Sequence, residues 1–288
     1  MLTERYFLAT ATGCDGTIYA LGGLAATTEG AGPEDVAITD AVEAYDPIGD
    51  NWTDLAPLPT PRTGLAAATG PDGRIYAIGG SIGEQFDTTS VVEVYTPATD
   101  TWETAAPLPI PLADAPAVTD AAGRIYVFGE HVTEIYDTNT QTWRTGRPMP
   151  TPRSTTVAAV GSDGRIYVAG GWGDGPTATV EAYTPDSDSW SSAAPMPQPA
   201  AEAAGVASLD GRVLVFGGRP DAGATPTAAA FAFDPATDSW TTVTDMPGPR
   251  DGEGAAIGPD GAVYIVGGSR GSTESTLGTV PDVDVYTP

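Results

Sequence analysis

The sequence predicts an all-β fold made of six copies of one unit, each a four-stranded antiparallel sheet. A Gly-Gly pair or its variant recurs at intervals of 41 to 57 residues, a tryptophan follows it in five copies, and long helical periodicity is absent. Self-similarity at such a period is typical of repeat architectures, in which each unit packs against its neighbours. The first glycines of the copies are Gly22, Gly79, Gly129, Gly170, Gly217 and Gly267, and the tryptophans are Trp52, Trp102, Trp143, Trp190 and Trp240.

The first two strands of each copy are predicted from an Asp-Gly pair. Asp72-Gly73 lies between two apolar stretches, and four other copies contain an equivalent pair. Asp-Gly accepts the positive φ angles of a tight hairpin turn. The strand that follows, for example residues 165–169, is apolar on both faces, which an antiparallel strand shows only where both faces of its sheet are covered. Sheets stacked around an axis would provide that cover.

The third and fourth strands of each copy are joined by a second turn. In the second copy, residues 92–95 predict the third strand, Thr96-Pro97 begins the turn, and Trp102 marks the fourth strand. Proline presets φ for such a turn, and short polar residues close it. The third strands of the six copies end at Tyr45, Tyr95, Tyr136, Tyr183, Phe233 and Tyr286.

These motifs resemble the kelch repeat, and the resemblance covers essentially the whole chain. It implies a single six-bladed β-propeller over residues 1–288, in which the first strand of each blade lines a central channel and the Trp strand lies outermost. It also implies that the repeat glycines allow close approach of neighbouring blades, while the tyrosine and tryptophan rings pack between them. Glycine has no Cβ and large rings supply burial, so the physical chemistry agrees with these structural roles.

The ends of the chain predict an incomplete last blade. The chain begins at the equivalent of an innermost strand, and it ends at residues 286–288, just after a third strand. We therefore expect the last blade to lack its outermost strand and blades one and six to close the ring by packing side by side. The exposed edge is a liability. We expect either a continuation of the chain, which we favour, or a partner strand to cover it, and a monomer unless the edge is paired.

The composition narrows the classes of partner. The chain has 38 acidic and 12 basic residues, no lysine, and a formal net charge of −26. Such a surface repels phosphate backbones and anionic membranes, so nucleic acid and membrane insertion are not expected. A single cysteine excludes an intrachain disulfide. The N-terminus is not a signal peptide and no apolar run could span a bilayer, which leaves the compartment open between cytoplasm and export.

Four arginines are candidate ligand-binding residues because they open the innermost strand in four copies. Leu112 and Ala200 occupy the same position in the other two. If the guanidinium groups point towards the axis, they form a positive ring that would hold a carboxylate bidentately. The alternative is that each arginine pairs with a nearby carboxylate or carbonyl and fastens the blades together. The four residues are Arg5, Arg62, Arg153 and Arg250.

The loops that follow the Gly-Gly pairs contain further candidates for ligand contact. Trp172 is the only tryptophan outside the repeat position, and Phe86 lies at the tip of a polar loop. Exposed aromatic rings often stack on ligands, although each could equally cover its own loop. Arg219 and Arg270 follow Gly-Gly pairs and are further candidates for the arginine ring. The insert at residues 24–41 is the longest of these loops.

The third copy departs from the pattern at Glu130-His131, where the second glycine should be. His131 is the only histidine of the chain and lies in a very short loop. A Glu-His pair would serve acid–base chemistry, so both residues are candidate catalytic groups. The alternative is a histidine that satisfies local backbone groups.

Other chemistries are not supported by the sequence. A copper radical oxidase on a kelch ring needs paired histidines, and zinc sites need sets of His and Cys that are missing. Asp46, Asp50, Asp186 and Asp188 lie in turns where aspartate is favoured anyway, so they are weak candidates for calcium. We expect no cofactor and no metal.

Three functions remain open. The leading hypothesis is a recognition module whose loops around the channel mouth bind a protein segment or a small anionic ligand. The second is a carbohydrate-acting isomerase or epimerase resembling the kelch-type sialic acid mutarotases, with arginines holding a sugar acid and Glu130 or His131 as the acid–base group. The third is a sensor or scaffold domain of a longer chain.

Overall fold

The computed structural model describes residues 1–27, 35–223, 225–271, 279 and 282–287. All regular secondary structure in these residues is β-strand, so the all-β prediction is confirmed. None of these residues belongs to an apolar helix long enough to cross a bilayer.

The first blade is a four-stranded antiparallel sheet with the order β2-β3-β6-β7, and β1, β4 and β5 form a small separate sheet beside it. These strands are β1 (Arg5–Tyr6), β2 (Ala9–Thr12), β3 (Ile18–Leu21), β4 (Leu24–Ala26), β5 (Val36–Ile38), β6 (Val42–Asp46) and β7 (Asn51–Asp54). The second blade has the order β8-β9-β12-β13, and its insert forms the hairpin β10-β11. Its strands are β8 (Ala66–Thr69), β9 (Ile75–Ile78), β10 (Ser81–Ile82), β11 (Asp87–Thr88), β12 (Val92–Thr96) and β13 (Thr101–Thr104).

The next three blades are four-stranded sheets in chain order, and the sixth sheet has three strands in the described part of the chain. Blade three contains β14 (Ala117–Thr119), β15 (Arg124–Gly129), β16 (Val132–Asp137) and β17 (Thr142–Gly146). Blade four contains β18 (Val157–Val160), β19 (Ile166–Ala169), β20 (Val180–Thr184) and β21 (Ser189–Ser192). Blade five contains β22 (Ala204–Ala207), β23 (Val213–Phe216), β24 (Ala230–Asp234) and β25 (Ser239–Thr242). Blade six contains β26 (Gly254–Ile257), β27 (Val263–Val266) and β28 (Val283–Tyr286).

The hydrophobic core lies between neighbouring blades. All four residues of β9 are buried, as the apolar second strand predicts. One cluster joins Tyr76 and Val94 of blade two to Val127 and Tyr136 of blade three, and similar clusters join other neighbours. Each sheet therefore hides both faces against the sheets beside it. Burial of this apolar surface is the main favourable term in the stability of the fold.

Blades one and six close the ring side by side, as predicted. The first strands contact one another in the series β2, β8, β14, β18, β22, β26 and back to β2, and they line a central channel. Thr10 Oγ1 donates a hydrogen bond to the Ala255 carbonyl at 3.0 Å, and Thr12 Oγ1 donates to the Ile257 carbonyl at 2.9 Å. Threonines of the first strands of blades two and three make the same kind of bond, so blades one and six are joined in the same way as other neighbours.

Candidate functional site at the channel mouth

A circle of six residues forms the mouth of the channel, and we call it the mouth ring. Each member lies just before the first strand of its blade and has a left-handed backbone with φ between 48° and 61°. The N–H of each member donates to the carbonyl of the member in the neighbouring blade at 2.7 to 3.3 Å, and the circle closes on itself. The members are Phe7, Gly64, Asp114, Thr155, Glu202 and Gly252. Since left-handed backbone is unfavourable for the four members that have side chains, the hydrogen bonds offset that strain.

Carboxylates dominate the charge at the mouth. Arg219 Nε lies 3.1 Å from Glu202 Oε2 and 2.5 Å from Asp251 Oδ2. Burial raises the pKa of Glu202, and the charges of Asp251 and Asp114 raise it further while Arg219 opposes the shift. The side chain of Asp114 is exposed, but it faces the confined space of the channel. Desolvation by the surrounding protein raises the pKa of its carboxyl. The mouth therefore contains three carboxyl groups and one guanidinium, that of Arg219, and this balance favours the binding of a cation.

A depression of about 730 Å³ runs from the mouth ring over blade three. Apolar and polar residues both line it, and Asp114 and Glu202 of the mouth ring are among them. The turn Glu130–His131 between β15 and β16 has only two residues, and both line the depression. The apolar residues of the lining are Phe7, Leu24, Phe86, Ile110, Pro111, Leu112, Ala113 and Val132.

A family model described as the Kelch motif matches residues 5–59, 62–109, 153–197 and 203–247. The chain belongs to the kelch-repeat family. Its fold is accordingly a kelch β-propeller, and the repeats indicate a protein-interaction module. No curated protein is similar enough to the chain to count as a match.

The four repeat arginines of this kelch propeller are buried inside their blades. Arg62 donates to Glu93 Oε2 at 2.8 Å and to the carbonyls of Gly79 and Val91 at 2.9 and 3.0 Å. Burial lowers the pKa of the Arg62 guanidinium, and the charge of Glu93 opposes this effect. Each of the other three arginines pairs in the same way with a carboxylate of the third strand of its own blade. The pairs are Arg5–Glu43, Arg62–Glu93, Arg153–Glu181 and Arg250–Asp284.

This placement favours the second interpretation of the arginines, in which they fasten strands and loops together. Their side chains are fully buried, and none lines the cavity at the mouth or the depression. The reason is that the third strand of each of these blades offers a carboxylate, and a buried guanidinium is stable only when paired. Ligand contact by these arginines stays an untested prediction.

The loop candidates are divided between several places. Phe86 lines the depression and is 48% exposed. Trp172 is half-buried outside the depression, and its N–H and carbonyl bond to Ser154 at 2.8 and 2.9 Å. Arg219 lies at the mouth, where it is neutralised by Glu202 and Asp251, and Arg270 is exposed. Of the insert at 24–41, residues 28–34 lie outside the described part of the chain.

Glu130 and His131 lie together on the rim of the depression. Glu130 Oε2 is 3.9 Å from His131 Nε2, and the two side chains are 52% and 77% exposed. No arginine is found beside them among the residues that the structure places around the depression, so the geometry adds no support to the sugar-acid arrangement. A catalytic role for the pair stays a prediction. In the described residues, no group of three or more His, Cys, Asp or Glu side chains is placed to hold a metal ion.

Sequence reasoning missed the carboxylates of the mouth. Asp114 and Glu202 occupy a position two residues after the repeat arginine, where two other copies have Gly64 and Gly252. Glycine at one position in several copies indicates a left-handed backbone. That signal was present in the sequence, but only the structure shows that this position faces the channel.

Proposed function

We propose that this kelch propeller is a recognition module that binds a protein segment across the depression and the channel mouth. The observation that carries the proposal is the continuity of an apolar depression with an acidic mouth. Phe7, Asp114, Thr155 and Glu202 line both. A bound segment would thus contact apolar and charged surface in one extended site.

The apolar part supports a protein partner. Phe86 and Ile110 are 48% and 49% exposed and line the same depression. Exposed apolar side chains grouped at a rim are typical of protein-binding surfaces, whereas enzymes use deep pockets in which polar groups converge. Aromatic anchors such as Phe86 commonly supply much of the binding energy.

The charged part supports a segment that carries a cation. Asp114, Glu202 and Glu130 line the depression, and none of its described lining residues is an arginine. Complementary charge sets specificity and the rate of association. A basic residue beside apolar residues therefore suits the site better than a small anionic ligand.

Selection of peptides from a random display library on the purified protein tests the proposal. We expect selected peptides to combine apolar residues with Lys or Arg. The double variant Phe86→Ala/Ile110→Ser should weaken their binding about tenfold or more in fluorescence anisotropy. Leu209→Ser is the matched control, because Leu209 is 76% exposed in the turn between β22 and β23, at the opposite end of the channel.

Two results would contradict the proposal. One is equal binding of the selected peptides to the double variant and to wild type. The other is the selection of acidic peptides that bind more tightly to wild type than to a protein in which Asp114 and Glu202 are replaced. A decrease in affinity with rising salt is expected, since the attraction between the basic residue and the mouth is screened.

A further inference from the structure

The residue that precedes each member of the mouth ring forms a short antiparallel bridge in five of the six blades. In blade two, the Thr63 N–H donates to the Ser81 carbonyl at 3.1 Å, and the Ser81 N–H donates to the Thr63 carbonyl at 2.8 Å. The second residue of each bridge comes from the loop between the second and third strands, directly after the Gly-Gly pair. The five bridges are Tyr6–Leu24, Thr63–Ser81, Ser154–Trp172, Ala201–Arg219 and Asp251–Ser269.

Blade three differs from the other five at this position. Ala113 precedes the ring member Asp114, and the loop that would bridge it is shortened to the turn Glu130–His131 between β15 and β16. Among the residues that the structure describes, neither the N–H nor the carbonyl of Ala113 has a hydrogen-bond partner. Ala113 is half-buried and lines the depression. A free backbone edge therefore lies in the depression, at the position where the other blades have a bonded residue.

Blade five shows what such an edge can hold. Arg219 forms the bridge to Ala201, with N–H···O distances of 2.8 and 3.1 Å. Its guanidinium also reaches Glu202, the ring member that follows Ala201, and Nε lies 3.1 Å from Glu202 Oε2. One arginine thus binds both the backbone edge and the carboxylate next to it. Blade three has the same two groups in the same order, Ala113 and then the acid Asp114, and the described residues supply no ion pair to that acid.

Charge indicates what kind of molecule would fill this position. All basic residues of the chain are arginines within its described part, and none of them is among the described lining residues of the depression. The residues outside the described part contain no arginine or lysine and include Glu29, Glu34 and Glu274. Carboxylates are repelled by Asp114 and Glu202, whereas a cation is attracted. The charge therefore favours a basic segment of another polypeptide as the occupant.

We propose that the segment bound in the depression joins blade three as an extended strand, with an arginine bridged to Ala113 and its guanidinium on Asp114. This inference rests on the proposed function and specifies how the segment is held. The arginine supplies both hydrogen bonds of the bridge, as Arg219 does in blade five, and its neighbours in the segment contact Phe86 and Ile110. Strand addition of this kind draws affinity from main-chain hydrogen bonds and specificity from side-chain pockets.

The blocked pentapeptide acetyl-Phe-Thr-Arg-Thr-Ile-amide tests the bridge in isothermal titration calorimetry. N-methylation of its arginine removes the N–H that would donate to the Ala113 carbonyl, and it should weaken binding about tenfold. N-methylation of the preceding threonine is the matched control, because alternate residues of an antiparallel strand direct their N–H groups to opposite edges. It should change the affinity by less than about twofold, since that N–H points away from Ala113.

A second comparison tests the ion pair. Citrulline in place of the peptide arginine keeps its shape but removes its charge, and it should lower the affinity for wild type about fivefold. Asp114→Asn should bind the two peptides with nearly equal, weak affinity. Asparagine tolerates the left-handed backbone at this position, where φ is 53°, so the variant should fold. Asp221→Asn removes an exposed charge from blade five, and it should distinguish the two peptides as wild type does.

Hydrogen exchange followed by NMR detects the bridge directly. The Ala113 amide should exchange rapidly in the free protein and about tenfold more slowly when the pentapeptide is bound. The Ala201 amide is already bonded to Arg219 and should not change.

The inference is overturned if the pentapeptide does not bind at about 1 mM, or if it binds without any dependence on the arginine N–H. Protection of the Ala113 amide in the absence of peptide would also overturn it. In a monomer the chain itself would then occupy the edge, and in a concentration-dependent dimer a second copy would. Library-selected peptides that still require Phe86 and Ile110 would in these cases leave the broader recognition function intact, so the two failures can be told apart.

Discussion

Blades two and three bury a glutamate at the same position of the third strand, but only blade two supplies an arginine. Glu93 accepts a hydrogen bond from Arg62 at 2.8 Å. In blade three, Leu112 stands at the arginine position, and the side-chain donor to Glu134 is the Thr145 hydroxyl at 3.1 and 3.2 Å. Burial raises the pKa of Glu134, and the Thr145 hydrogen bond opposes that shift. The repeat arginine is thus best understood as the partner of a buried carboxylate.

Blade five shows a third solution at the same place. Ala200 stands at the arginine position, and Phe231 replaces the glutamate. Both charged groups are absent together, and Phe231 is 6% exposed. This agrees with the general finding that apolar side chains of suitable volume can replace a buried ion pair, whereas removal of one partner is costly.

The largest effect is expected when the arginine of blade two is removed alone. Arg62→Leu gives blade two the leucine that blade three has at this position. Glu93 then loses its cation and its strongest hydrogen bond. We expect the free energy of unfolding to fall by about 3–5 kcal/mol in urea denaturation at pH 7.

The double variant Arg62→Ala/Glu93→Phe gives blade two the pair found in blade five, and it should recover more than half of that loss. The exposed pair of Arg74 with Asp72 is the control, and Arg74→Ala should cost less than about 1 kcal/mol. If Arg62→Leu costs no more than Arg74→Ala, the arginine is not a structural partner, and its availability to a ligand must be reconsidered.

The next largest effect concerns a carboxyl that is buried without a matched cation. Glu253 is 6% exposed, and neither of its carboxyl oxygens has a hydrogen-bond partner in the described residues. Its pKa is raised to about 8, chiefly by desolvation and also by the charge of Asp251, while nearby backbone N–H groups and the charge of Arg250 oppose the shift. Since the folded state holds this proton more tightly than the unfolded state, stability is greatest at low pH and is lost as pH rises from about 4.5 towards 8. We expect wild type to lose about 3 kcal/mol of unfolding free energy between pH 5 and pH 8 from this group.

Glu253→Gln isolates that contribution, because the amide cannot ionise while the other carboxylates still titrate. The difference in unfolding free energy between this variant and wild type should change with pH in urea denaturation at constant ionic strength. Leu8 and Leu65 occupy the equivalent position in blades one and two, so Glu253→Leu should also remove the dependence. A difference that stays constant from pH 5 to pH 8 would show that Glu253 titrates normally.

The smallest effect should come from the hydroxyl that serves Glu134. Thr145→Val removes this donor and should cost about 1–2 kcal/mol at pH 8, with a smaller cost at pH 5, where more of the carboxyl is protonated. Thr104→Val is the matched control, because Thr104 lies opposite Glu93 as Thr145 lies opposite Glu134. Urea denaturation at the two pH values measures both. Equal costs for the two variants would show that Glu134 does not depend on Thr145.

The repeat made much of the fold predictable. Four strands per blade could be predicted from the Asp-Gly pairs, the apolar second strands and the spaced tryptophans. Turn chemistry and burial act locally, and their signals recur in each copy. The candidate site was less predictable. The direction of the Arg62 side chain depends on Glu93, a residue far along the chain, so the sequence left two interpretations of the repeat arginines open, and it did not reveal that Asp114 and Glu202 line the channel. Contacts between distant residues decided these outcomes, and a single sequence does not display them.

The mouth ring has a consequence for whatever approaches the axis. Its six peptide groups run head to tail around a circle, so their dipoles lie along the circumference and largely cancel at the centre. Widening the opening would lengthen all six hydrogen bonds together, whereas a loop can lose its hydrogen bonds one at a time. The opening should therefore keep a constant diameter, so that only a group narrow enough to fit can enter the channel. Any conformational adjustment to a ligand should occur in the surrounding loops.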